Sequence, residues 1–119
     1  MGNDSATVQN IKMQMRKGVL EYCVLLLIGG ARLYSSDLLE ELKRANLLVV
    51  EGTLYPLLSR LRANGLIDYV WEESEKGPPR KYFHLTGGGR QTLANLNEAW
   101  CALSSSVGSL RTHREEDDS

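Results

Sequence analysis

The stretch from Gly52 to Thr86, GTLYPLLSRLRANGLIDYVWEESEKGPPRKYFHLT, constrains this chain more than any other. Its first half has helical period: Leu54, Leu57, Leu58 and Leu61 fall at i, i+3, i+4 and i+7, which sets all four on one face. Pro56 falls within about the first turn, where a missing N–H is tolerated. Gly65 stops the helix. The second half predicts two short strands, Leu66 to Glu72 and Arg80 to Leu85, joined by a loop that holds Lys76, Gly77 and two prolines. A helix followed directly by a hairpin with a basic tip is the core of a winged helix-turn-helix, in which the helix can enter the major groove and the hairpin lie along the backbone.

The rest of the chain supplies what such a core needs. Residues 1–7 read as unstructured. Val8, Ile11 and Met15 then mark a short amphipathic helix that cannot stand alone and must pack on something. Gly18 interrupts it or marks a joint. Val19 to Ile28 is almost wholly apolar and predicts a buried helix that ends at Gly29-Gly30. Arg32 to Tyr34 reads as a short extended piece. Ser35, Ser36 and Asp37 are competent helix caps ahead of Leu38, Leu39, Leu42 and Ala45. Asn46 to Val50, with Leu47, Leu48, Val49 and Val50, reads as an apolar connector that should tuck against the core. Thr86 can cap a last helix, where Leu93, Leu96, Trp100, Leu103, Val107 and Leu110 are spaced 3, 4, 3, 4, 3. That is a narrow heptad seam, better suited to another helix than to a broad core.

The expected architecture is mostly α with a small β-hairpin: a winged helix-turn-helix over residues 8–86, a dimerisation helix over 87–110 and an acidic, unstructured tail over 111–119. The N-terminal helix joins the C-terminal one in the dimer arm.

Charge argues mildly against nucleic acid as a partner, because 14 basic and 15 acidic residues leave a net of −1. The distribution is uneven. Setting aside Glu115 to Asp118 leaves 14 bases against 11 acids, a net of +3. The longest unbroken apolar run, Cys23 to Ile28, is too short to span a bilayer. The N-terminus has no secretory pattern. Cys23 and Cys101 have no metal-ligand or redox spacing, and a buried, reduced thiol is expected for both. The expected compartment is the cytoplasm, with no membrane partner.

Several motifs together carry a family resemblance. GTLYPLLSRLRANGLI, then WEES, then GPPRKYFHLT with Gly89-Arg90, resemble the PadR family of bacterial transcriptional regulators in order and spacing, over roughly Gly18 to Trp100. The resemblance implies a homodimeric repressor of phenolic-acid stress or multidrug-transporter genes, released in some members by a small planar aromatic effector. It also implies that the C-terminal helix pairs with the N-terminal helix of the partner subunit. The chain departs from the family at Gly87-Gly88-Gly89, where a polar pair is usual. Three glycines weaken a helix start by about 1 kcal/mol for each one that must be helical, which marks this joint as a hinge candidate.

The candidate DNA contacts lie off the leucine stripe and on the wing. Thr53, Tyr55, Ser59, Arg60 and Arg62 share the exposed side of the third helix, where guanidinium groups meet guanine or phosphate and hydroxyls meet phosphate. A plain solvated face is the alternative. Lys76, Gly77, Arg80 and Lys81 form the basic wing, with Arg80 and Lys81 on opposite faces of their strand. Ser35 and Ser36, at a helix N-terminus, either hold a phosphate or simply cap. Trp100, with Leu96 one turn away, offers either a flat wall for an aromatic effector or dimer packing. Trp71 reads as core.

An enzyme is not expected. His84 and His113 are the only histidines, and no nucleophile, acid–base pair, cofactor loop or metal set accompanies them. A winged-helix protein-interaction module without sequence-specific DNA binding is the alternative function.

Overall fold

The computed structural model describes residues 2–47 and 49–118, and their side chains within 5–113. In order, α1 spans Gly2–Gly30, β1 Leu33–Tyr34, α2 Ser35–Arg44, α3 Glu51–Ala63, β2 Ile67–Glu72, β3 Arg80–Leu85 and α4 Gly87–Asp118. Three helices and a hairpin wing make the winged helix, and a long helix extends it at each end. The radius of gyration is 17.8 Å, against about 13.5 Å for a compact domain of this length. The projecting ends of α1 and α4 account for the excess.

The core closes where the body of the wing meets the helices. Leu54, Leu57, Leu58 and Leu61 of α3 are all buried, against Leu38 and Leu42 of α2, Leu20, Val24, Leu25 and Ile28 of α1, and Ile67, Phe83 and Leu85 of the hairpin. The two short helices end alike. Leu47 N–H reaches Leu42 O at 2.7 Å past Asn46 at φ +62°, and Leu66 N–H reaches Leu61 O at 3.0 Å past Gly65 at φ +76°. Both are Schellman turns with a left-handed residue at C′, which satisfies the last carbonyls. Pro56 is the sixth residue of α3 rather than part of its first turn. It is tolerated because the carbonyl it leaves without a helical donor, that of Gly52, lies on the exposed side.

Several expectations need correcting. The backbone is helical already from Gly2, and α1 runs unbroken through Gly18, so residues 2–7 are not a separate unstructured lead and Gly18 is no joint. The segment Val8 to Met15 is instead the exposed continuation of the helix that the core anchors from Leu20 onward. At the other end α4 runs on past Leu110, through the serines and Gly108. Ser106 and Thr112 turn their hydroxyls to carbonyls one turn back, Ala102 O and Gly108 O, each at 3.0 Å. Helix therefore replaces the unstructured tail from 111 to 118.

The hairpin gains a third strand. Leu33 pairs Phe83 and Tyr34 pairs Tyr82, which gives an antiparallel sheet in the order β1-β3-β2. Neither Ser35 nor Ser36 caps α2. Tyr34 takes the cap position, and Asp37 closes the turn by accepting the Tyr34 N–H at 3.0 Å. In the connector, Leu47 and Val49 pack on the core while Val50 is exposed; Leu48 lies outside the described residues.

Trp71 is 60% exposed, not core. Alternation does put it on the same face as Ile67 and Tyr69, but it sits near the far end of the wing, beyond the body that would cover it. Cys101 is exposed on α4, whereas Cys23 is half-buried and burial pushes its thiol pKa up.

The triglycine is the firm start of α4 rather than a loose hinge. Thr86 Oγ1 accepts the Gly89 N–H at 2.9 Å and donates to Gly65 O at 2.5 Å. A Cβ on Gly89 would lie 1.9 Å from Leu66 O. Glycine is there because the helix and the strand entry touch backbone to backbone.

Candidate nucleic-acid interface

A surface groove of about 640 Å³ lies between α3 and the sheet, lined by Ser35, Tyr55, Ser59, Arg62, Asp68 and Lys81 among others. It gathers five of the residues singled out above. Tyr55, Ser59 and Arg62 follow one another at i, i+4 and i+7, one line along the wing-facing flank of α3. Lys81 joins them because strand alternation puts it with Tyr69 and Phe83, while Arg80 turns to the other face beside Tyr34. Thr53 and Arg60 lie seven residues apart on the flank toward α1. Thr53 lines a second hollow of about 670 Å³ with Arg16, Lys17 and Val50. The crest between the flanks is small: Gly52, Pro56 and Ala63, all exposed.

Ser36 is exposed on the first turn of α2, apart from the groove. Lys76 and Gly77 form the wing tip, where Gly77 takes φ +140° and Ser74 Oγ donates to Pro78 O at 3.2 Å to close the turn.

Charge at this surface is more committed than the sequence discloses. Arg60 donates two N–H groups to Glu21 on α1, with the Nε at 3.1 Å. Arg62 Nε donates to Asp68 Oδ1 at 3.0 Å, and its guanidinium lies 4.6 Å from the Tyr69 ring centroid. The Tyr69 N–H, at 2.9 Å, and the Arg62 side chain hold the Asp68 carboxyl below the usual carboxylate range. The same hydrogen bond, first among its causes, raises Arg62 further. Lys81 Nζ sits 4.4 Å from the Tyr69 ring and 5.2 Å from Trp71, so the aromatic faces hold its charge above the groove.

Glu21, Asp68, Arg32 and Tyr34 escape a reading by sequence. Arg32 bonds Glu72 and lies over the Tyr82 ring, and the Tyr82 hydroxyl donates to Tyr34, which raises the Tyr82 pKa. The only early signal was the short extended piece at Arg32 to Tyr34. Nothing in the spacing of α1 says that Glu21 would reach α3.

The arm residues separate into two groups. Leu93 and Leu96 are half-buried against the body of their own chain. Trp100, Leu103, Val107 and Leu110 are exposed. Tyr22 donates its hydroxyl to Asn97 Oδ1 at 2.5 Å, and its ring lies 6.2 Å from that of Trp100. Among the described residues no group of three or more His, Cys, Asp or Glu could hold a metal ion, and no helix is long and apolar enough to cross a membrane.

Comparison with known proteins agrees with the winged-helix fold. The transcriptional regulator PadR-like family matches residues 24–95. A PadR-like transcription factor from Bacteroides fragilis is 51% identical, covers 85% of this chain and 98% of its own, and superposes with a TM-score of 0.72. A PadR family regulator from Eggerthella lenta is 28% identical, with coverage of 92% and 96% and a TM-score of 0.83. Bacillus subtilis PadR, solved in complex with operator DNA, is 25% identical over 66% of this chain and 46% of its own, with a TM-score of 0.59. With 72 of its residues inside the family's own pattern and the winged helix built as described, the chain belongs to the PadR-like family and is a transcriptional regulator.

Proposed function

We propose that this regulator is a homodimeric repressor that reads a pseudo-palindromic operator with α3. The observation that carries the reading is the crest of α3. Its small residues let the helix backbone come close to base edges, with Tyr55, Ser59 and Arg62 on one side, Thr53 and Arg60 on the other, and Lys81 alongside. A major groove about 12 Å wide admits such a helix. Lys76, Gly77 and Arg80 then meet the flanking backbone, and Ser35 and Ser36 an adjacent phosphate. The Bacillus subtilis relative, captured on operator DNA, supports the same use of the fold here.

The second copy is what the arm lacks. Val8, Ile11 and Met15 on α1 and Trp100, Leu103, Val107 and Leu110 on α4 leave two apolar strips uncovered. Single exposed apolar residues are ordinary, but rows of them at helical spacing are interaction surfaces. Antiparallel pairing of these arms buries both strips and fixes two α3 helices for half-sites about 10 bp apart or a multiple of that. Trp100, with Leu96 below it, would then wall a space for a planar aromatic effector that releases DNA. The genes under control are of the phenolic-acid stress or multidrug-transporter kind, and the site of action is the cytoplasm.

A gel shift with the DNA upstream of the protein's own gene tests this. A retarded band that weakens steeply with added salt is expected, since each neutralised phosphate contributes a slope of about −0.9 in log K against log[salt]. No band at low salt, on that or neighbouring intergenic DNA, removes the reading.

A further inference from the structure

Arg60 stands among the residues that α3 offers to DNA, yet two of its N–H groups already face one oxygen of Glu21. A guanidinium carries five N–H donors, and the edge of Arg60 formed by Nε and Nη2 is the one that Glu21 holds. For Arg60 to offer that edge to a phosphate as a two-pronged contact it must leave Glu21. The pair is open to water, with side-chain exposures of 56% and 44%, so it opens at small cost. It is therefore an exchangeable hold rather than a permanent loss of the cation.

We propose that Glu21 is a positioning residue for DNA binding: it competes with the DNA backbone for Arg60 and so sets both the affinity of the complex and its sensitivity to salt. The inference rests on the reading that α3 faces DNA. Arg62 and Asp68 look like a second such pair, but they lie six residues apart around the end of α3, and the Tyr69 N–H fixes the carboxylate. Glu21 belongs to another element altogether. Its neighbour Tyr22 is bonded to Asn97 and meets Trp100 on α4. One turn of α1 is thus tied to α4 by Tyr22 and to α3 by Glu21.

Fluorescence anisotropy with two labelled duplexes, one from the upstream region and one of random sequence, reads the effect across a salt series. Glu21→Gln should bind both about two- to five-fold more tightly, the range expected for opening an exposed ion pair. Its slope should steepen by up to about 0.9 for each subunit that gains a phosphate contact. Glu21→Asp keeps the charge but shortens the reach by one methylene, and it should steepen the slope in the same direction. In an Arg60→Gln background the Glu21→Gln change should leave the slope where it was. Equal slopes for the parent and Glu21→Asp, or an equal gain from Glu21→Gln with and without Arg60, overturns the inference while DNA binding stands. A parent that binds neither duplex overturns the DNA reading and this one together.

Discussion

Two apolar rows in this molecule carry similar sequence signals and meet different fates. The stripe on α3 is closed: Leu54, Leu57, Leu58 and Leu61 are at most 4% exposed. The seam on α4 is closed only at its start, where Leu93 and Leu96 touch the body. From Trp100, at 45% exposed, to Leu110, at 71%, it faces outward. Periodicity states that a face must be covered but not which molecule covers it. On α3 the chain covers itself. On α4 the helix outruns the body, and the remaining contact is left to something else.

The sharpest way to break this comparison is to cut one residue from each row. Leu61→Ala should cost about 2–5 kcal/mol, the usual range for a leucine lost from a sealed core, and a denaturant midpoint should report the loss at any protein concentration. Leu103→Ala should change little within one subunit. Its effect should appear in sedimentation as a weaker dimer, and in unfolding as a loss that depends on protein concentration. Equal, concentration-independent losses would mean that α4 is not an interface.

Glycines sharpen the contrast further. Gly89→Ala pushes a methyl into Leu66 O and should destabilise by about 1–3 kcal/mol, as overpacking does, with the joint between wing and arm disturbed. Gly108→Ala meets nothing within 4 Å and should stabilise α4 by up to about 1 kcal/mol through helix propensity. Thermal unfolding of the two variants should therefore move in opposite directions.

The difference between these glycines shows what the sequence could disclose. Leucine spacing, the Gly65 stop, the hairpin and the Thr86 cap depend on neighbours within a few residues, and they were legible. The need for glycine at 89 depends on a strand more than twenty residues upstream. The triglycine therefore looked like weakness when it is close packing. Trp71 went astray for a related reason: alternation assigns a face, but exposure depends on how far the wing reaches past the body. The candidate contacts on α3 could be named because they lie off the stripe. Their counterions could not, since the reach of Glu21 to Arg60 depends on how α1 crosses α3. The fold was thus read better than the electrostatic state of the site it presents.

The smallest expected effect is that of acid on the pair formed by Arg62 and Asp68. The Asp68 carboxyl has a folded pKa below its ordinary value, chiefly through the Tyr69 N–H and then through Arg62. A depressed carboxylate favours the folded state above its unfolded pKa, and that contribution fades as the pH falls through the folded value. Asp68→Asn should therefore be slightly less stable than the parent at neutral pH, and the gap should close in acid below the ordinary carboxylate range. The group is open to solvent, so salt should narrow the gap as well. Urea midpoints of parent and variant across a pH series measure it. A gap that persists unchanged into acid would trace the loss to the altered turn between α3 and β2 rather than to charge.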